Sequence, residues 1–89
     1  MSEDIGVAHR VIALLTQRLG ISPDMVKPTA ELADDLGVDS VDAVEFTLVL
    51  EREFNVALPD DVIADVRTVQ DVIDLVRERT RALSEAGRG

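Results

Sequence analysis

The chain has 89 residues, the size of one small domain, and its apolar fraction of 46% is typical of a globular protein. It contains no cysteine, which excludes disulfides and cysteine metal sites, and its net charge of −9 disfavours nucleic acid as a partner. No apolar run is long enough to span a bilayer and no signal peptide precedes the first amphipathic segment, so we expect a soluble, cytoplasmic monomer.

A first helix is predicted over residues 1–19. Its apolar stripe recurs at steps of three and four and comprises Ile5, Ala8, Ile12, Leu15 and Leu19. Gly20 follows this stripe and is a natural stop, because the residue just past a helix often needs positive φ.

Residues 20–39 are predicted to form a long ordered loop. Pro23, Pro28 and Gly37 interrupt this segment, and it has no sustained apolar period. Leu32 and Leu36 are expected to pin it to the core. A loop of this length in a small domain is uncommon unless it has a role.

A second helix is predicted over residues 40–54, and its helical projection gives three faces. The core face is expected to comprise Ala43, Phe46, Thr47, Leu50 and Phe54. A second apolar stripe comprises Val41, Val44 and Leu48. The remaining arc carries Asp42, Glu45, Val49, Arg52 and Glu53. Such a helix has one more apolar surface than packing against a single core requires.

Two further helices complete the pattern. The turn at Pro59 is expected to start a short third helix over residues 60–66, with acids in its first turn where the helix dipole favours them. The fourth helix is predicted over residues 68–83, with Thr68 as its cap and Asp71 in the reciprocal capping position. Residues 84–89 are expected to fray. The chain therefore reads as one all-α domain over residues 1–89.

The negative charge is concentrated in the middle of the chain. Residues 31–61 hold ten acidic residues and one basic residue, Arg52, whereas acids and bases balance elsewhere. Crowded like charge opposes the compact state, so we interpret this window as a surface that steers basic partners. A surface that only solubilises the protein is the alternative.

Ser40 stands at the predicted start of the second helix, inside this acidic window. Nucleophilic catalysis would require a nearby base and a group to orient it, and neither His9 nor Lys27 is placed as such a partner. We therefore predict no catalytic residue and no enzyme. The acids also lack the alternating pattern of a calcium loop, so no dedicated metal site is predicted.

Two roles for Ser40 stay open on these residues alone. Asp39 or Ser40 could cap the helix, since both side chains accept hydrogen bonds from first-turn amides. Alternatively, the exposed hydroxyl is an attachment point, because a phosphate joined to it would meet free amides and the positive end of the helix dipole.

An ordered series of motifs runs along the chain. It comprises Asp-Leu-Gly-Val-Asp-Ser-Val at 35–41, Val-Glu-Phe at 44–46, Leu-Glu-Arg-Glu-Phe at 50–54, Pro-Asp at 59–60 and Thr-Val-Gln at 68–70. This series closely resembles the acyl carrier proteins of fatty-acid and polyketide synthesis, over nearly the whole chain. The resemblance implies a four-helix bundle with a long first loop and a short third helix.

The resemblance also implies a covalent cofactor. A phosphopantetheinyl transferase would join 4′-phosphopantetheine from coenzyme A to Ser40 through a phosphodiester, and the distal thiol would hold acyl intermediates as thioesters. In relatives the acyl chain can enter the bundle. The matching positions here are Phe46, Leu50, Val62, Ile63 and Val66, which could equally be ordinary core.

Partner enzymes of such carriers typically present basic patches to the second helix. The resemblance implies ketosynthase, acyltransferase, reductase or dehydratase enzymes as partners. The matching acidic positions are Asp39, Asp42, Glu45 and Glu53, and the matching apolar contacts are Val41 and Leu48. Contacts of this kind are expected to be weak and transient.

Two residues depart from the family pattern. Val41 stands where leucine is usual, and Arg52 interrupts the acidic row. Both departures leave the identity of the partner enzymes open. The sequence is therefore as consistent with a carrier of a specialised pathway as with a housekeeping carrier. The competing hypothesis is an unmodified, small acidic helical interaction module in which Ser40 only caps the helix.

Overall fold

The computed structural model describes the backbone of residues 2–88 and the side chains of residues 6–82. The described chain folds into four α-helices: α1 (Ser2–Leu19), α2 (Ser40–Phe54), α3 (Asp60–Ile63) and α4 (Val69–Arg88). A single 3-10 turn, Pro23–Met25, lies in the loop between α1 and α2. Over residues 2–88 there is no strand beyond an isolated bridge between Glu31 and Thr68, and the all-α prediction is confirmed.

The helix bounds agree with the sequence at α2 and differ at α3 and α4. The predicted third helix, 60–66, stops at Ile63, because the chain turns there and the amide of Val66 bonds back to the Ile63 carbonyl at 3.1 Å. The fourth helix begins one residue later than predicted and continues to Arg88, through most of the predicted frayed tail. No proline interrupts residues 69–88, and alanine, leucine and glutamate there favour a helix. Met1 and Gly89 lie outside the described residues.

The core lies where α1, α2 and α4 meet. Its wholly buried side chains come from α1 and α4 and are Val11, Leu15, Val69 and Val76. Phe46 and Leu50 close it from α2. These residues follow the helical period of the sequence, so removal of aliphatic surface from water is the main force that assembles the bundle.

The first loop is fixed to the start of α4 by backbone hydrogen bonds. The amide of Leu32 donates to the carbonyl of Arg67 at 2.8 Å, and the amide of Val69 donates to the carbonyl of Ala30 at 3.0 Å. Leu32 and Leu36 pack half-buried against the core, as predicted. Gly20 ends α1 with a φ of +67°, which confirms the predicted stop.

A reciprocal cap starts α4, as the sequence predicted. The Asp71 carboxylate accepts hydrogen bonds from the amides of Arg67 and Thr68, at 3.0 and 3.1 Å. The Thr68 hydroxyl accepts in turn from the amide of Asp71, at 3.2 Å. The backbone bonds from Arg67 and then Thr68 lower the pKa of Asp71, because both favour its charged form.

We expect Asp71→Asn to lower the free energy of unfolding by roughly 0.3–1 kcal/mol at neutral pH, because the amide oxygen can still accept both hydrogen bonds and only the charge at the helix start is lost. The folded pKa of Asp71 lies below its unfolded value, so its contribution is fully present above the unfolded pKa of about 3.9 and is lost as pH falls through the folded value. Urea denaturation at neutral pH and at a pH of about 3 measures this, and the difference from the parent should shrink at the lower pH. Glu78→Gln, at an exposed site on the same helix, is the control. A difference that stays constant between the two pH values would contradict this account.

Candidate functional site

Asp39, not Ser40, caps α2. The Asp39 carboxylate accepts a hydrogen bond from the amide of Asp42 at 2.8 Å, and α2 begins at the next residue, Ser40. The Ser40 side chain is exposed, and its hydroxyl forms no hydrogen bond among the described residues. No hydrogen bond to a described residue therefore holds the hydroxyl, and it is accessible for modification.

A tight turn delivers Ser40 to the helix start. Gly37 has a φ of +70°, which strains any residue with a side chain, and its amide bonds to the Ala33 carbonyl at 3.1 Å. The amide of Val38 then bonds to the carbonyl of Leu32 at 2.8 Å. Because Leu32 is itself bonded to the start of α4, the backbone leading to Ser40 is fixed on both sides.

The surroundings of Ser40 combine acids with an exposed apolar stripe. Asp39 and Glu45 are exposed and Asp42 is half-buried. Val41, Val44 and Leu48 have exposed fractions of 66%, 60% and 55%, so the predicted second stripe lies on the surface. Such a patch on a small protein is typical of a protein contact site.

Glu53, the fourth of the predicted acidic positions, is exposed and also contacts α1. Its carboxylate pairs with the guanidinium of Arg10, which also donates to the Glu53 carbonyl at 3.4 Å. The same guanidinium lies 4.9 Å from the centre of the Phe54 ring, within cation–π range. These contacts of Arg10 join α1 to the end of α2, and they could not be predicted from the helical projection.

Two other positions on α2 differ from the projection. Val49, which the projection placed in the acidic arc, packs half-buried against the core beside α1. Ala43, which it placed on the core face, is exposed, although it also lines the apolar cavity described below. Val49 is covered because it lies beside Leu19 of α1, with which it lines a shared groove.

An apolar cavity of about 100 Å³ lies inside the bundle. Four of the five predicted acyl-chain positions line it: Phe46, Leu50, Ile63 and Val66. The fifth, Val62, does not line it, since adjacent residues of a helix point in different directions and Ile63 is the one that faces the cavity. The sequence did not assign the other lining residues to the acyl chain, although some were expected in the core; they are Leu15, Leu19, Leu32, Val38, Ala43, Thr47, Leu58, Val72, Leu75 and Val76.

The cavity reaches the residues on either side of Ser40. Val38 and Ala43 both line it, two residues before and three residues after the serine. Thr47 is the one polar residue of the lining, and its hydroxyl donates to the Ala43 carbonyl at 2.8 Å. The cavity surface is therefore suited to a hydrocarbon chain and offers little to water.

Within the part of the chain that the structure describes, the polar residues away from Ser40 are not grouped as a metal site would require. His9 is exposed on α1. Among the described residues, no group of three acidic or histidine side chains is arranged to hold a metal ion. No helix in that part of the chain combines the length and apolar character needed to cross a membrane.

Comparisons with known proteins agree on one family. Residues 9–76 match the family described as phosphopantetheine attachment site. The chain is 38% identical, over 76 residues, to an acyl carrier protein from Thermosynechococcus vestitus, and the match covers 85% of this chain and 94% of that protein.

A solved structure has the same fold. The crystal structure of an acyl carrier protein from Thermotoga maritima matches with a TM-score of 0.77 and covers 91% of this chain and 94% of its own. The two sequences are 23% identical, so this likeness concerns the fold alone. It agrees with the predicted four-helix arrangement with a long first loop.

Proposed function

The chain belongs to the acyl carrier proteins, a family that carries 4′-phosphopantetheine, and we propose that Ser40 is the residue to which this group is attached. The observation that carries the proposal is the exposed hydroxyl of Ser40, at the first residue of α2, which forms no hydrogen bond to any residue that the structure describes. Since Asp39 supplies the cap, the alternative of an unmodified module with a capping serine loses its main support.

Attachment would convert the serine hydroxyl into a phosphodiester. The Ser40 oxygen would attack the coenzyme A phosphorus next to the pantetheine arm, and the bond from that phosphorus to the second phosphate would break, which releases adenosine 3′,5′-bisphosphate. The serine proton would leave to a base of the transferase. The attached group supplies the thiol that a chain without cysteine lacks, and the protein's task is to display and orient it.

We propose that the apolar cavity receives the acyl chain. Its lining is apolar apart from Thr47, and it extends to Val38 and Ala43 beside Ser40. Its volume of about 100 Å³ is smaller than the roughly 150 Å³ of an engineered cavity that binds benzene. The cavity as it stands thus suits a short acyl segment, and the same side chains also form the core.

Carriers of this family work with a modifying transferase and with biosynthetic enzymes. We propose that basic patches on a ketosynthase, acyltransferase, reductase or dehydratase dock on α2. Asp39, Asp42 and Glu45 would attract them, with Val41 and Leu48 as the apolar contacts. The protein would act as a monomeric cytoplasmic carrier in fatty-acid or polyketide synthesis. Glu53, paired with Arg10, would contribute least of the acidic positions.

The test is to incubate the unmodified protein with coenzyme A and a promiscuous phosphopantetheinyl transferase and to measure its intact mass. We expect one phosphopantetheine adduct, and fragmentation should place it on Ser40. The unmodified interaction module predicts no adduct. Folded protein that stays unmodified, or an adduct on another residue, would overturn the proposal.

A further inference from the structure

An open groove lies between the last turn of α1 and the middle of α2, with a volume of about 320 Å³. Its lining residues are Arg18, Leu19, Glu45, Phe46, Leu48 and Val49. Arg18 and Glu45 are exposed, and neither forms an ion pair among the described residues. The groove therefore combines an apolar surface with two unpaired charges of opposite sign.

The charge along α2 also becomes less negative towards the C-terminal end of the helix, where the half-buried Glu51 carboxylate accepts a hydrogen bond from the amide of Leu58. Asp39 caps the helix and Glu45 lies in its second turn, whereas Arg52 is exposed one turn after Leu48. The next acid, Glu53, is neutralised by Arg10. A partner surface that is basic along its whole length would face repulsion from Arg52 and from Arg18 across the groove.

We propose that this groove receives an apolar side chain of a partner enzyme, and that a carboxylate of the same partner lies beside it at Arg18. This inference rests on the proposed function, because it assigns the groove to an enzyme docked on α2. Leu48 and Val49 supply the apolar contact, and Glu45 takes a basic group on the other side. Pairs of exposed charges add little affinity, so the groove selects the partner and its orientation.

Two synthetic helical peptides test this directly. Each carries a leucine anchor with a lysine one turn before it, and they differ only in having a glutamate or a lysine one turn after it. We expect the glutamate peptide to bind about threefold to tenfold more tightly, with amide shifts centred on Arg18, Leu48 and Val49 in an NMR titration. The net charge of −9 by itself favours the lysine peptide, so this preference would be specific to the groove.

Charge variants identify the residue responsible. Arg18→Glu should reverse the preference, and Arg18→Gln should remove it without adding an opposite charge at the end of α1. Arg81→Glu makes the same change in net charge at an exposed site on α4 and should leave the preference unchanged. Circular dichroism of each variant verifies the fold.

Tighter binding of the lysine peptide would overturn the inference, and so would shifts centred away from the groove. The peptide titration uses unmodified protein, and its result does not depend on attachment at Ser40. A phosphopantetheine adduct without the peptide preference would therefore reject the groove alone, whereas the absence of an adduct would reject the proposed function.

Discussion

Ser40→Ala is expected to abolish attachment of phosphopantetheine and to change the free energy of unfolding by less than about 0.5 kcal/mol. The variant removes the oxygen that would form the phosphodiester. It leaves the Asp39 cap in place and breaks no hydrogen bond, because the Ser40 hydroxyl has none among the described residues. Intact mass after incubation with coenzyme A and the transferase measures the first effect, and urea denaturation measures the second.

Asp39→Ala is the matched variant at the neighbouring position. It removes the bond to the amide of Asp42, so we expect it to lower the free energy of unfolding by about 1 kcal/mol. The protein should still become modified, since the hydroxyl remains. The two variants thus separate stability from attachment. A phosphopantetheine adduct on the Ser40→Ala variant would contradict this division of roles. It would also be contradicted if Ser40→Ala lowered the free energy of unfolding as much as Asp39→Ala.

Reversal of Asp42 and Glu45 to lysine is expected to slow modification about tenfold at an ionic strength near 0.02 M. The same variant should lose less than about threefold near 0.5 M, because salt screens charges beyond a few ångströms. Both carboxylates lie within two turns of Ser40, and the loss reflects slower encounter with a basic enzyme. Initial rates at several salt concentrations, with the transferase limiting, measure the effect.

The control for this experiment changes the net charge equally at distant sites. Asp24 lies in the first loop and Glu78 lies on α4, and both are exposed. Reversal of these two residues to lysine should slow modification much less than reversal on α2. Equal losses in the two double variants would mean that net charge matters and the position of the acids does not. A loss that stays the same at high salt would mean that steering is not the cause.

Much of this fold could be predicted from local patterns of the sequence. The steps of three and four in α1 and α4 follow directly from helical geometry, and they place Leu15 and Val76 in the core. The glycine stop at Gly20 and the capping pair Thr68–Asp71 depend only on neighbours in sequence. Features of this kind can be predicted because each involves only a few consecutive residues.

The features that the sequence missed depend on contacts between helices. Arg10 and Glu53 are 43 residues apart, and nothing local indicates that they pair. Val49 is covered because α1 lies beside it, and which of Val62 and Ile63 faces the cavity depends on how α3 is placed against the bundle. For the same reason, the groove beside Arg18 could not be seen before the helices were placed together.

The backbone hydrogen bonds between the first loop and α4 affect how an acyl group carried by this protein would move between enzymes. Leu32 and Val69 hold the loop against the bundle, and the turn at Gly37 fixes the last step to Ser40. Most of the conformational entropy of this segment is therefore already lost on folding. On the proposed attachment at Ser40, this segment would serve as a fixed mount, and the reach between enzymes would come from the phosphopantetheine arm. The protein would therefore present the arm to every partner enzyme from one fixed position, whatever the length or chemistry of the acyl chain.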